Sequence, residues 1–98
     1  MSENIKILVI RFSSIGDIIL TTPVVRCLKS QLNADIDFLT KTDYKGLLVS
    51  NPNINEVIGL DHSINDTLKV LRFKKYNFVI DLQNNFRSFT LRLMLGVK

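Results

Sequence analysis

The chain has 98 residues, 46% hydrophobic and 22% charged, with a formal net charge of +4 at pH 7. That length bounds it to one domain at most, and the composition is that of a globular chain rather than a disordered one. No apolar run approaches the roughly 18 to 20 residues of a membrane span, and Met1-Ser-Glu-Asn4 lacks the basic start and apolar stretch of a signal peptide, so a cytoplasmic location is expected.

In chain order, Ile5 to Phe12 carries four consecutive apolar residues, Ile7-Leu-Val-Ile10, as a parallel strand covered on both faces requires. A polar turn with Ser13, Ser14 and Gly16 follows, and a helix begins at once. Its apolar stripe is Ile15, Ile18, Ile19, Val25, Leu28 and Leu32, and Cys27 is expected as a small buried side chain within it. Pro23 falls inside this helix, where it should kink or restart it at a cost of roughly 3 kcal/mol unless the site is built for it.

Ile36 to Thr40 alternates and is β-prone, giving a second strand. Asp43 to Val49 suits a short helix capped by Thr42 or Asp43. Glu56 to Leu60 reads as a third strand, and Ser63 to Lys74, with Ile64, Leu68 and Leu71 on one face, as a helix. Phe78 to Leu82 is a fourth strand, and Arg87 to Leu95 a last helix ending at Gly96. The βαβαβαβα order predicts an α/β fold, a parallel sheet with helices on both faces. A half-domain of this kind ordinarily continues past a helix, so the chain is expected to be the front part of something larger.

Two polar strand ends carry the candidate chemistry. At the first, Asp17 has two readings. With Ser14 it matches a capping box in which aspartate replaces glutamate, placing an acid in the first turn of a helix. It also suits a general base at the mouth of a cleft. Gly16 allows a tight turn or the close approach of a ligand, and Ser13 and Ser14 can donate to a phosphate or a sugar hydroxyl or simply cap the helix. The turn matches neither the dinucleotide nor the P-loop glycine pattern.

At the second, Asp81, Gln83, Asn84 and Arg87 combine acceptors, amides and a fork-shaped cation suited to polyhydroxylated or anionic groups. The plainer reading there is a turn, a cap and a solvated arginine. The basic residues Lys69, Arg72, Lys74 and Lys75 are read as dipole compensation on a solvated face rather than a nucleic-acid footprint. His62 is given no role, and no cysteine or histidine spacing suggests a metal site.

The run Ile7 to Lys29, Ile-Leu-Val-Ile-Arg-Phe-Ser-Ser-Ile-Gly-Asp-Ile-Ile-Leu-Thr-Thr-Pro-Val-Val-Arg-Cys-Leu-Lys, resembles the N-terminal signature of the bacterial heptosyltransferases, glycosyltransferase family 9. Tyr76 to Ser88, with Asp81-Leu-Gln83 and Arg87-Ser88, resembles a second family segment, although Gln83 stands where many relatives have histidine. The resemblance implies the N-terminal half of a GT-B fold, so that residues 1–98 would be one Rossmann-like, acceptor-side domain without the donor domain. It implies Asp17 as the base that activates an acceptor hydroxyl for inversion at the anomeric carbon. Ser14 and Gly16 would shape the loop beneath it, and Arg87 would lie near anionic groups of the acceptor.

On this reading the acceptor is a lipopolysaccharide core or another glycan, and contact with the inner membrane face is allowed for. No cofactor is expected, because the ADP-heptose donor would bind the other half, and the chain alone is expected to be inactive. The alternative is a non-catalytic binding or oligomerising α/β module that pairs through an exposed sheet edge.

Overall fold

The computed structural model describes residues 5–12, 15–60 and 64–83. Strand β1 is Lys6–Ile10, followed by α1, Ile15–Leu20, and α2, Thr22–Leu32. Then come β2, Asp35–Lys41, a 3-10 helix, Thr42–Leu47, and β3, Glu56–Leu60, with α3, Ile64–Lys74, and β4, Phe78–Asp81, completing the described elements. The four strands form one parallel sheet in the order β3-β2-β1-β4. The helix expected over Arg87 to Leu95 lies outside the described residues.

The sheet is covered on both faces, as the apolar run of β1 requires. Leu8 and Ile10 pack with Leu39, Ile58, Leu60, Val79 and the α3 residues Leu68 and Leu71. Ile7 and Val9 point the other way, to Ile18 of α1, Val25 of α2, Ile36, Phe38 and Leu48. Each such side chain contributes about 1.5–3 kcal/mol by leaving water, and β1 contributes to both layers at once.

Pro23 restarts the helix. It sits in the first turn of α2, where its missing N–H does least harm. The carbonyl of Ile19, four residues back, would have been the acceptor for that N–H, and the Thr22 hydroxyl donates to it instead at 2.8 Å. Thr21 does the same for Ile18, while its own N–H reaches Asp17 and Ile18 carbonyls, so the joint loses little hydrogen bonding.

The buried stripe is narrower than expected. Ile18 and Val25 are buried and Leu28 is partly so, all on one face, but Ile15 and Ile19, off that line, are 49% and 50% exposed and Leu32, at the end of α2, is exposed too. Cys27 is exposed, not buried. It lies two residues beyond Val25, about 200° round the helix and therefore on the opposite side.

The segment after β2 is a 3-10 helix and not an α-helix. Its N-cap is Lys41, with no side-chain capping bond, so neither Thr42 nor Asp43 caps it. It lies against β3 at Gly59, where a Cβ would come within 2.7 Å of Thr42 Oγ1, 2.9 Å of Lys45 Cδ and 3.1 Å of the Thr42 Cα. Gly16 is the opposite case. Its φ is outside the left-handed region and a Cβ would meet nothing within 4 Å, so no tight turn demands glycine there.

A polar cluster is buried on the α3 side of the sheet, near the strands' amino ends. Asp37 of β2, 4% exposed, accepts hydrogen bonds from Tyr76 Oη at 2.6 Å and Asn55 Nδ2 at 3.1 Å. Lys74 Nζ lies 3.8 Å from Asp37 and also pairs with Glu56. Lys75, at φ 55°, ends α3 in a left-handed turn, and the buried Tyr76 follows it. A buried carboxylate survives only with such partners. Burial, then the Asp37 hydrogen bond, raises the Tyr76 phenol well above its usual value near 10. The Glu56 hydrogen bond, opposed by burial and aided by Asp37, raises the Lys74 ammonium.

Two predictions follow from this packing. Gly59→Ala should destabilise the chain by about 1–3 kcal/mol through overpacking, whereas Gly16→Ala in α1 should be neutral or stabilise by up to about 1 kcal/mol; paired thermal melts compare them. Above pH 10 the unfolded chain releases the Tyr76 proton while the folded chain keeps it, so stability falls as pH rises, by up to about 1.4 kcal/mol per pH unit for one group. Lys74 adds a loss of the same sign above about pH 10.5. Tyr76→Phe should cost about 1–3 kcal/mol at pH 7 and give a shallower alkaline slope, read from urea midpoints between pH 8 and 11.

Candidate functional site

Strand order locates the site. From β1 the chain steps outward to β2 and then β3, and afterwards crosses to the other side of β1 to lay down β4. The direction reverses between β1 and β4, and in open α/β sheets ligands bind outside the carboxyl ends of the strands at such a point. Both polar strand ends singled out in the sequence meet here, since Ile10 pairs with Asp81 in register.

The two strand ends are stitched together over 71 residues of sequence. Leu82 N–H donates to the Ile10 carbonyl at 3.0 Å, and Phe12 N–H donates to Gln83 Oε1 at 3.0 Å. Arg11 Nη1 donates to the Leu82 carbonyl at 2.6 Å. On the other flank, Arg11 N–H donates to the Leu39 carbonyl and Thr40 Oγ1 reaches the Phe12 carbonyl. The loop base after β1 is therefore held from both neighbouring strands.

Asp17 stands in the first turn of α1, its side chain 49% exposed, and its Oδ2 pairs with Arg11 Nη2 at 2.9 Å. An acid in the first turn is favoured by the exposed N–H groups at the helix start. The ion pair requires the carboxylate in its ionised form, which is also the form a base needs. Arg11 Nε is buried and makes no hydrogen bond among the described residues.

Gln83 and Asp81 both build the loop. Asp81 Oδ1 accepts the Gln83 N–H at 3.0 Å, an Asx turn at the end of β4, and Gln83 in turn holds Phe12. Gly16 leaves open space beside Asp17's helix. Ser13, Ser14, Asn84 and Arg87 lie outside the described residues, so the capping box with Ser14 and the acceptor contact of Arg87 stay as sequence readings.

Arg11 is the residue that sequence reasoning passed over, taken only as part of the strand. Its signal was a cation placed directly after four apolar residues, six positions before the acid. Elsewhere, Thr22, Pro23, Arg26, Asn51 and Asn53 line an open groove of about 180 Å³. Among the described residues no three or more histidine, cysteine, aspartate or glutamate side chains gather to hold a metal ion.

No protein-family model matches the chain. Among curated proteins it is 31% identical over 94 residues to a lipopolysaccharide heptosyltransferase 3 of Escherichia coli, covering 85% of this chain and 28% of that one. It is 32% identical over 90 residues to a lipopolysaccharide heptosyltransferase 1 of Campylobacter coli, covering 85% and 26%. The chain thus spans little more than a quarter of the length of these relatives.

Among solved structures, a glycosyl transferase family 9 protein from Veillonella parvula superposes with a TM-score of 0.87 at 26% identity, over 99% of this chain and 31% of that one. An E. coli heptosyltransferase solved with ADP shares the fold, with a TM-score of 0.75 at 22% identity over 93% of this chain and 33% of its own. In sequence and in fold the chain is a relative of the lipopolysaccharide heptosyltransferases and of glycosyltransferase family 9, matching a part of those proteins.

Proposed function

We propose that the chain is the acceptor-binding part of a heptosyltransferase-like glycosyltransferase, with residues 1–98 forming the N-terminal, acceptor-side domain of a GT-B enzyme. The observation that carries this reading is the Asp17 carboxylate, paired with Arg11 at the carboxyl end of β1 beside β4. The kinship with heptosyltransferases supplies the reaction class.

In the proposed reaction Asp17 takes the proton of an acceptor hydroxyl as its oxygen attacks the anomeric carbon of the donor sugar from the face opposite the leaving group. The new carbon–oxygen bond forms, the bond to the diphosphate breaks, and ADP departs with the electron pair, inverting the configuration. The acceptor is a lipopolysaccharide core or similar glycan, and the donor is ADP-heptose. Its site lies outside these residues, so this chain alone does not complete transfer. The setting is the cytoplasm, at the inner membrane face. Among the described residues no helix is long and apolar enough to cross a membrane.

Gly16 and the polar strand ends take the acceptor in this reading. The open space at Gly16 leaves room for a sugar to approach the backbone. Asp81 and Gln83 hold the facing loop, with Ser13, Ser14, Asn84 and Arg87 as further acceptor contacts.

A second reading, self-association, draws on one observation: among the described residues β4 has a neighbour only on the β1 side, and its Phe78 is 51% exposed. Light scattering at high concentration decides it, because a monomer throughout argues against edge pairing.

Incubation of residues 1–98 with ADP-heptose and a lipopolysaccharide core acceptor should give no transfer, and appreciable turnover would overturn the placing of the donor site outside these residues. In a form that carries a donor domain, Asp17→Asn should lower the transfer rate by about 10²- to 10⁴-fold with acceptor affinity nearly unchanged; near-normal transfer would remove Asp17 from the base role.

A further inference from the structure

The six-residue helix α1 buries one side chain, Ile18. A helix so short has little stability of its own, so a half-exposed carboxylate at its start depends on side-chain contacts for its place. Arg11 makes one such contact, an ion pair at 2.9 Å. Its two terminal nitrogens engage different parts of the fold, Nη1 the Leu82 carbonyl beyond β4 and Nη2 the Asp17 carboxylate. Its own backbone is fixed by the N–H bond to Leu39, and the next residue by Gln83.

We propose that Arg11 is the positioning residue of the site: its guanidinium ties the Asp17 carboxylate to the carboxyl end of β4, so that the acid and the facing loop are held as one unit. This rests on the reading of Asp17 as the base. The planar fork of arginine suits the task because two donors diverge from one rigid group, whereas a lysine ammonium is a single point on a flexible stem. The Arg11 side chain is 22% exposed and the Asp17 side chain 49%, so the pair is partly open to solvent and to salt.

The test reads Asp17 directly. In the 98-residue chain, carbon-13 NMR titration of the Asp17 carboxyl should show its midpoint rising by about 0.5 to 1 pH unit in Arg11→Met, with a partial return in Arg11→Lys. Raising the salt from about 20 to 500 mM should move the wild-type midpoint in the same direction and move that of Arg11→Met less. A role for Arg11 in folding alone would lower the melting temperature and leave the midpoint in place, and an unchanged midpoint overturns the proposal. If Arg11→Met does not fold, the wild-type salt series and Arg11→Lys decide it by the same criterion.

In a form with a donor domain, Arg11→Met should lower kcat about ten- to a hundredfold with the acceptor KM little changed. Normal kcat in Arg11→Met beside an impaired Asp17→Asn overturns the positioning role and leaves the base intact. Normal transfer by Asp17→Asn overturns the base reading instead, whatever the titration shows.

Discussion

Everything in this fold depends on β1 being enclosed. It has a strand on each side and helices above and below, so Leu8, Val9 and Ile10 lose all contact with water. A strand in that position has no room for polar side chains along its length, and its backbone groups are consumed by two ladders. Chemistry can enter only where the chain leaves the sheet. Arg11 is the first residue beyond the last enclosed position, and it at once reaches both the neighbouring strand end and the following helix.

Asp37 shows what an exception to that rule requires. On β2, one strand over, a carboxylate is buried inside the sheet's α3 face, and three other segments converge on it: Asn55 before β3, Lys74 at the end of α3 and Tyr76 before β4. These contacts fasten the α3–β4 connection at the sheet's amino end, far from the carboxyl-end loops. Among the described residues a polar assembly thus lies at each end of the strands, the first locking the architecture and the second carrying the candidate chemistry.

Much of this was legible in the residues. The apolar run Ile7 to Ile10 announced an enclosed strand, Glu56 to Leu60 was read to its limits, and Pro23 marked a restart. Failures came where a stripe was drawn too wide or where partners were distant in sequence. Ile15, Ile19 and Cys27 lie off the line of Ile18, Val25 and Leu28, and Leu32 sits exposed at the end of α2. Tyr76 and Asp37 are 39 positions apart, and Arg11 and Leu82 are 71 apart, so no local window could join them. Gln83 was read for what it offers a ligand, while in the fold its carbonyl oxygen holds the backbone of Phe12.

The joint between α1 and α2 has a further meaning. Because the Thr21 and Thr22 hydroxyls serve the carbonyls on either side of the restart, the break leaves little hydrogen bonding unmet, yet it separates two mechanical parts. The long helix is anchored to the sheet through Val25 and Leu28, while the six residues that carry Asp17 rest on Ile18. The short part is a cartridge: its exposed residues are open to change without repacking the layer beneath α2. A scaffold divided in this way lets the outline around one acid be remodelled while the wall behind it stays still.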